Sequence, residues 1–340
     1  FPKQNVRAVA TQTLREARNT DDFLSLAKKA LGYKIEVISG VEEARLIYQG
    51  VSHFLPQSDE RRLVIDIGGR STEFVLGQHF DALKTESLRV GSVAWSLKYF
   101  PDGELSAKNL KRAEVAASSF LDVIAKSYGH KHWDVAYGAS GTVGAVGDVL
   151  AQAGFTEGEI TKKGLDWLRD ELITAKQASR LKLSGLKEER NAVIGGGLSV
   201  LRAIFDLLKI DTLYVARGAL RHGLFYDIAA EASDGLIYTK EASIRLLLKR
   251  FPVDATHAEH VKEAATYLFD QIVDDLNLKK SEIQEQRRLL NWAAQCHEIG
   301  SVISHGGYHR HGAYILEHTE LMGFSQSELH HLSLLVLGQH

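Results

Sequence analysis

An α/β region followed by an all-helical domain is the fold class that this sequence predicts, and three observations predict it. Segments with the alternating, β-branched pattern of strands interleave with segments of helical period as far as about residue 230. From "TKEASIRLLLKRF" (239–251) onward, every periodic segment is helical. The length of 340 residues, with 44% hydrophobic and 25% charged side chains, is ordinary globular composition with room for two or three domains.

In chain order, "NVRAVATQTLREA" reads as a short strand over Val6 to Ala10, turning into a helix with Thr11 or Thr13 near its start. "KIEVISG" is a second strand, followed by a helix from about Val41 to Tyr48. "RRLVIDIGG" and "STEFVLGQ" form a central hairpin, and "ALKTESLRVGSVAW" extends the sheet. Helical period resumes over "AKNLKRAEVAASSFLDVIAKSY". The strand "DVAYG" then runs into "ASGTVGAVGDVLAQAG", a glycine-containing turn that opens a helix. Helices follow around "GLDWLRDELI" and "ERNAVIGGGLSVLRAIFDLL". "DTLYVAR" is the last strand and leads into the helical "GALRHGLFYDIAAEA". The all-α domain is expected to begin near Ser233, and ten of the fifteen histidines lie beyond Thr256.

Composition narrows the function classes. A formal charge of −2 gives no support to a general nucleic-acid binder. One cysteine, Cys296, excludes an intramolecular disulfide framework and fits a reducing compartment, so a cytoplasmic location is expected. No apolar run approaches the roughly 18 residues that a membrane span needs. The chain opens at Phe1 without a methionine and stops within the apolar "LVLGQH", so it is expected to be an interior piece of a longer protein.

The glycine turns carry the chemistry. "DIGGRST" and "YGASGTVGAV" each place a Gly-rich turn with hydroxyls after a strand. Backbone N–H groups exposed in such a turn form an anion site, although either turn alone is also explained by a tight bend. Asp66, at the strand end before the first turn, can hold Mg2+ because hard cations prefer oxygen ligands. Two facing phosphate loops with Mg2+ would make a phosphoryl-transfer site.

"ISGVEEARLIYQGV", "VIDIGGRSTEFVLG", "GASGT", "LKEERNAVIGGG" and "GALRHGL" occur in order across nearly the whole chain. Together they resemble the exopolyphosphatase and guanosine pentaphosphate phosphohydrolase family of the actin-like ATPase superfamily. The resemblance implies an α/β actin-like (ribonuclease H-like) two-lobed core followed by an all-α HD-like domain. The remainder of the N-terminal lobe would occupy residues 1–46, the second lobe 47–232, and an incomplete helical domain 233–340. Glu43 then matches the catalytic glutamate that orients or deprotonates the attacking water, whereas Glu42 beside it would project elsewhere. Asp66 and Glu73 match the metal-associated acids, with Mg2+ as the implied cofactor. Gly68, Gly69, Arg70 and Ser71 would form one phosphate loop, and Gly138, Ser140, Gly141 and Thr142 the other. Arg15 corresponds to an arginine facing the substrate channel, and Arg45 and Arg89 are weaker candidates of the same kind. Arg221 reads equally as a hinge residue or a phosphate contact.

The implied function is exopolyphosphatase: Mg2+-dependent hydrolysis of the terminal phosphate of inorganic polyphosphate. Its alternatives are guanosine pentaphosphate phosphohydrolase and a non-catalytic polyphosphate or nucleotide sensor. A homodimer is a family expectation. Two departures stand out. Arg70 occupies a position where the family usually has glycine, either adding a cation or obstructing the loop. The first phosphate loop of the "D-x-G-S-N-S" kind does not occur in these residues, so truncation at both ends relative to the family is expected.

"THAEHVKEAATYLFDQI" and "AAQCHEIGSVISHGGYHRHGAYILEH" resemble an HD-type metal phosphohydrolase layout. His260 would be the first ligand, with His297 and Glu298 in place of the usual His-Asp pair. His305, His309 and His311 stand among glycines at loop-like spacings. Packing, capping and internal hydrogen bonding explain these histidines more simply than metal, and Cys296 reads as a small buried apolar residue.

Overall fold

The structure, a computed structural model, describes residues 6–231, 235–276, 278 and 280–339. The domain boundary expected between 232 and 233 lies outside the described residues. Two compact units divide the chain: 1–42 with 230–340, and 43–229.

In the first unit, β1 (Ala8–Ala10) pairs in parallel with β2 (Ile35–Val37). The crossover contains α1 (Gln12–Glu16) and α2 (Thr20–Leu31), and Gly32 ends α2 with a φ of 76°, a left-handed conformation suited to glycine. α3 (Gly40–Ser52) follows, and the boundary between the units falls inside it, between Glu42 and Glu43.

The second unit is built on a six-stranded sheet. β3 (Arg62–Ile67), β4 (Thr72–Gln78) and β5 (Asp81–Leu88) form an antiparallel meander. β6 (Val135–Ala139) runs parallel to β3, β7 (Glu159–Thr161) is an antiparallel edge, and β8 (Thr212–Val215) lies between them, giving the order β5-β4-β3-β6-β8-β7. β3 is buried along its whole length, as expected for a central strand covered on both faces. Its side chains alternate accordingly. Leu63, Ile65 and Ile67 join the larger core, whereas Val64 packs with Val75 and with Ala44, Ile47, Tyr48 and Val51 of α3.

The larger core is covered by α4 (Ser92–Tyr99), α5 (Ala107–Tyr128), α6 (Ser140–Gln152), α7 (Lys162–Ala175) and α8 (Ile194–Leu208). The glycine run of α8 serves packing: a Cβ on Gly196 would lie 2.5 Å from the Ser92 carbonyl and from the Ser96 backbone nitrogen. α9 (Leu220–Glu231) crosses α3 as tightly, since a Cβ on Gly223 would stand 1.9 Å from the Leu46 carbonyl oxygen. Arg45 locks this crossing through two hydrogen bonds to Asp227, 3.1 and 2.6 Å long.

The rest of the first unit is helical: α10 (Gly235–Arg250), α11 (Ala255–Ile272), α12 (Lys280–Gln295), α13 (Tyr308–His318) and α14 (Gln326–Leu337). Ile244, Leu247, Trp292, Cys296, Leu316, Phe324 and Leu332 form its core. Cys296 is buried, as expected, and burial pushes its thiol up to about 12. Among the described residues, no helix is long and apolar enough to cross a membrane.

Three elements differ from the sequence reading. The sheet extension stops at Leu88, and "SVAWSLKY" is the helix α4, because Ser92, Trp95 and Ser96 are buried at helical spacing. The helix expected from Glu189 begins as α8 only at Ile194. The edge strand β7 had no counterpart in the sequence reading, being three residues long.

Candidate active site

Register and periodicity bring three acids together. Asp66 and Glu73 are direct cross-strand partners in the β3–β4 hairpin, so their side chains share one face. Asp66 has the parity of Val64 and Glu73 that of Val75, which makes this the face covered by α3. On α3, Glu43 precedes Ile47 by one turn and continues the stripe that packs on the sheet. Glu43, Asp66 and Glu73 are only 8%, 7% and 1% exposed.

Glu42 points elsewhere. Its carboxylate accepts a hydrogen bond of 2.6 Å from the Gly323 amide within the first unit. Neither acid of the pair is therefore a solvated helix-start residue; one is structural and the other faces the carboxylates.

Burial raises the Asp66 carboxyl to about 7, Glu43 adds to the shift, and the neighbouring Ser140 hydroxyl opposes it. Glu73 is raised well above the ordinary range by burial and then by Glu43 and Asp66, eased by Ser71 and Ser87. The Ser87 hydroxyl donates to Glu73 Oε1 at 2.8 Å. Three like charges removed from water repel one another unless a proton or a cation sits between them. The donor set is all carboxylate oxygen, which fits a hard dication such as Mg2+.

Two turns flank the acids. In the first, Gly68 N–H donates to the Ser71 carbonyl at 2.9 Å, so this amide is spent inside the turn and not offered to a ligand. The Gly68 and Gly69 carbonyls accept from the amides of Ser92, Val93 and Ala94, tying the turn to the start of α4. Gly91 makes that approach feasible, because a Cβ there would lie 2.4 Å from the Arg70 nitrogen. Gly69 and Arg70 are exposed and Ser71 is buried.

The second turn leads from β6 into α6. Ser140 has a φ of 80°, unusual for a residue with a side chain, and its hydroxyl donates to the Ile67 carbonyl at 2.8 Å. Ser140 thus joins the second turn to the strand end that carries Asp66. Gly138 is a packing glycine, since a Cβ would meet Val143 at 2.6 Å and Leu213 at 2.7 Å. Thr142 is buried, with its methyl directed at Gly197 of α8.

Sequence reasoning missed Arg190. Its guanidinium stands over Gly141, where a Cβ would lie 2.1 Å from Nη2. This puts a half-buried cation at the N-terminal turn of α6, beside the helix end that already favours an anion. The requirement for glycine at 141 was the available signal.

Other candidates are placed differently. Arg15 belongs to the first unit, and its guanidinium donates to the Ile38 carbonyl at 2.7 Å and to Gln12 at 2.7 and 3.0 Å. Arg45 is engaged by Asp227, and Arg89 and Arg221 are exposed. Among the described residues, His257 rather than His260 gathers with His297 and Glu298; His305, His309 and His311 join no such group.

The Ppx/GppA phosphatase family matches residues 1–232, and its domain III matches residues 239–340. A guanosine-5'-triphosphate,3'-diphosphate pyrophosphatase of Aeromonas hydrophila is 39% identical over 339 residues, covering 100% of this chain and 67% of that protein. The protein of the same name from Pseudoalteromonas translucida is 40% identical, covering 96% of this chain and 65% of its own length. The chain thus spans about two thirds of the curated relatives it matches. Among solved structures, an exopolyphosphatase from Cytophaga hutchinsonii aligns with a TM-score of 0.57 at 22% identity, over 66% of this chain and 74% of that one. An Aquifex aeolicus Ppx/GppA family member gives 0.56 at 24%, over 66% and 74%. These structures share the fold, an actin-like α/β core with a helical C-terminal region.

Proposed function

The chain belongs to the Ppx/GppA phosphatase family, and from that premise we propose that it hydrolyses a terminal phosphoanhydride bond, with guanosine 5'-triphosphate 3'-diphosphate as its first substrate. The observation that carries the reaction class is the burial of Glu43, Asp66 and Glu73 on one face beside two turns. The sequence reading put inorganic polyphosphate first. The names of the relatives at 39% and 40% identity favour the guanosine substrate instead. Polyphosphate stays as the second substrate because a solved structure of the same fold is named an exopolyphosphatase.

In this proposal Glu43 accepts the proton of a water molecule aimed at the terminal phosphorus. A bond forms from the water oxygen to phosphorus, and the bridging P–O bond breaks. The electron pair leaves on the shortened phosphate chain. Asp66 and Glu73 would hold Mg2+, which when bound offsets the negative charge of the phosphoryl oxygens. The second turn and Arg190 receive the terminal phosphate, with Gly141 keeping the guanidinium close to the backbone. Arg70, exposed on the first turn, stands as an additional cation for a polyanion rather than as an obstruction. A homodimer, a cytoplasmic location and an HD-like character for the helical region belong to the same reading.

Phosphate release measured side by side from the guanosine substrate and from long polyphosphate, with Mg2+, tests this. Faster turnover of the guanosine substrate supports the assignment, and faster turnover of polyphosphate reverses the order. Tight binding of either with no release by the wild type would establish a sensor and end the hydrolase reading.

A further inference from the structure

A group of two imidazoles and a carboxylate lies in the helical region, remote in sequence from the acids of the sheet. His257 sits in the first turn of α11, whose start is fixed by Asp254 accepting from the amides of Thr256 and His257 at 2.9 and 3.0 Å. His297 and Glu298 form the turn that follows α12. One ligand atom from each lies within 4.8 Å of the others.

The state of His297 points to a ligand. It is 6% exposed, and its Nδ1 contacts the Ala294 carbonyl at 2.8 Å. A carbonyl only accepts, so Nδ1 carries the proton and Nε2 presents a lone pair. That Nε2 is buried without a hydrogen-bond partner. Glu298 Oε1 is 3.9 Å from it and 4.0 Å from His257 Nε2, too far for hydrogen bonds to either ring. Orphaned buried nitrogens are uncommon, and each needs a reason. A carbonyl holding the far ring nitrogen is also the usual way a ligating imidazole is oriented.

We propose that His257, His297 and Glu298 bind one zinc-class divalent cation, with solvent completing its shell. Two imidazoles and a carboxylate suit zinc, cobalt or nickel rather than magnesium, which prefers oxygen alone. Bonds of about 2.0–2.1 Å at tetrahedral angles would bring the ligand atoms to roughly 3.4 Å apart. The observed spacing needs a contraction of about 1.4 Å at most, within reach of side-chain rotation because His257 is more than half exposed. The open side at His257 leaves room for water on the ion. The site depends on no reading of the carboxylate cluster.

The test is titration of the full chain, stripped with a chelator, with Co2+. One equivalent should produce visible d–d absorption with nitrogen coordination, be displaced by Zn2+, and be unaffected by excess Mg2+. Asp66→Asn and His260→Ala should leave the band unchanged. His257→Ala and Glu298→Gln should each weaken binding by at least the roughly 10–100-fold that loss of an outer-shell partner costs. Melting of the metal-free variants confirms that they fold. No stoichiometric band in the wild type, or a band that survives both His257→Ala and Glu298→Gln, overturns the proposal.

Discussion

Glu43 occupies a core position on the stripe of α3 that covers the sheet, yet it faces two acids there instead of an apolar neighbour. Glu43→Gln keeps the shape and removes the charge. The phosphate-release rate is expected to fall by about 10²–10⁴-fold, the usual contribution of a general base, while the melting temperature holds or rises as repulsion is relieved. An unchanged rate would remove Glu43 from its role. Arg190→Ala tests the second turn: loss of one charge-assisted contact, worth about 1.5–3 kcal/mol, should lower kcat/KM by roughly 10–100-fold, with partial recovery in Arg190→Lys. Asp66 was legible from its place at a strand end before a glycine turn, and Glu43 and Glu73 only through the family resemblance; strand register and helix spacing explain why they share a face. Arg190 was not legible, because its position over Gly141 depends on how α6 and the segment before α8 pack together. Arg15 bonds locally to Gln12 on its own helix, whereas its bond to the Ile38 carbonyl, 23 residues on, depends on the β1–β2 pairing.

The glycines separate packing from chemistry at the scale of the elements. Gly223→Ala drives a methyl into the Leu46 carbonyl and should destabilise the α3–α9 crossing by about 1–3 kcal/mol. Gly144 lies mid-helix in α6 with nothing within 4 Å of a would-be Cβ. Gly144→Ala should therefore stabilise by up to about 1 kcal/mol, through helix propensity alone. Chemical denaturation of the two variants checks both signs; equal effects would show that the α3–α9 contact does not constrain the fold. The same contrast explains which elements the sequence revealed. β3 announces itself by an apolar, β-branched run that ends in a glycine turn before β4, and α5 by its regular helical stripe. α4 is short and follows β5 closely, and its helical form rests on contacts remote in sequence: the Gly68 and Gly69 carbonyls at its start and α8 at Gly196. β7 contributes three residues to an edge, too few for any periodicity to show.

For the whole molecule, the buried acids tie stability to pH and to divalent cations. Folded Asp66 titrates near 7 instead of 3.8, and Glu73 is raised as well. The native state therefore holds protons that the unfolded chain has already released between about pH 4 and 7. Stability from this source is full below the ordinary carboxyl range and is lost as pH rises through the folded value, by about 1.4 kcal/mol per pH unit for each proton involved. In the absence of metal, the melting temperature of the unit containing the sheet should fall from pH 5 to pH 8. Mg2+ that binds the ionised acids acts in the opposite sense and stabilises only the native form, so its effect should be small at pH 5 and largest at pH 8. Asp66→Asn removes one titrating group and one ligand together, which should both flatten the metal-free slope and abolish most of the Mg2+ response. Calorimetric melts of wild type and Asp66→Asn across this range, with and without Mg2+, decide the matter. A wild type whose melting temperature is flat with pH, or a variant that keeps the full Mg2+ shift, would mean that the three acids neither share protons nor hold the ion.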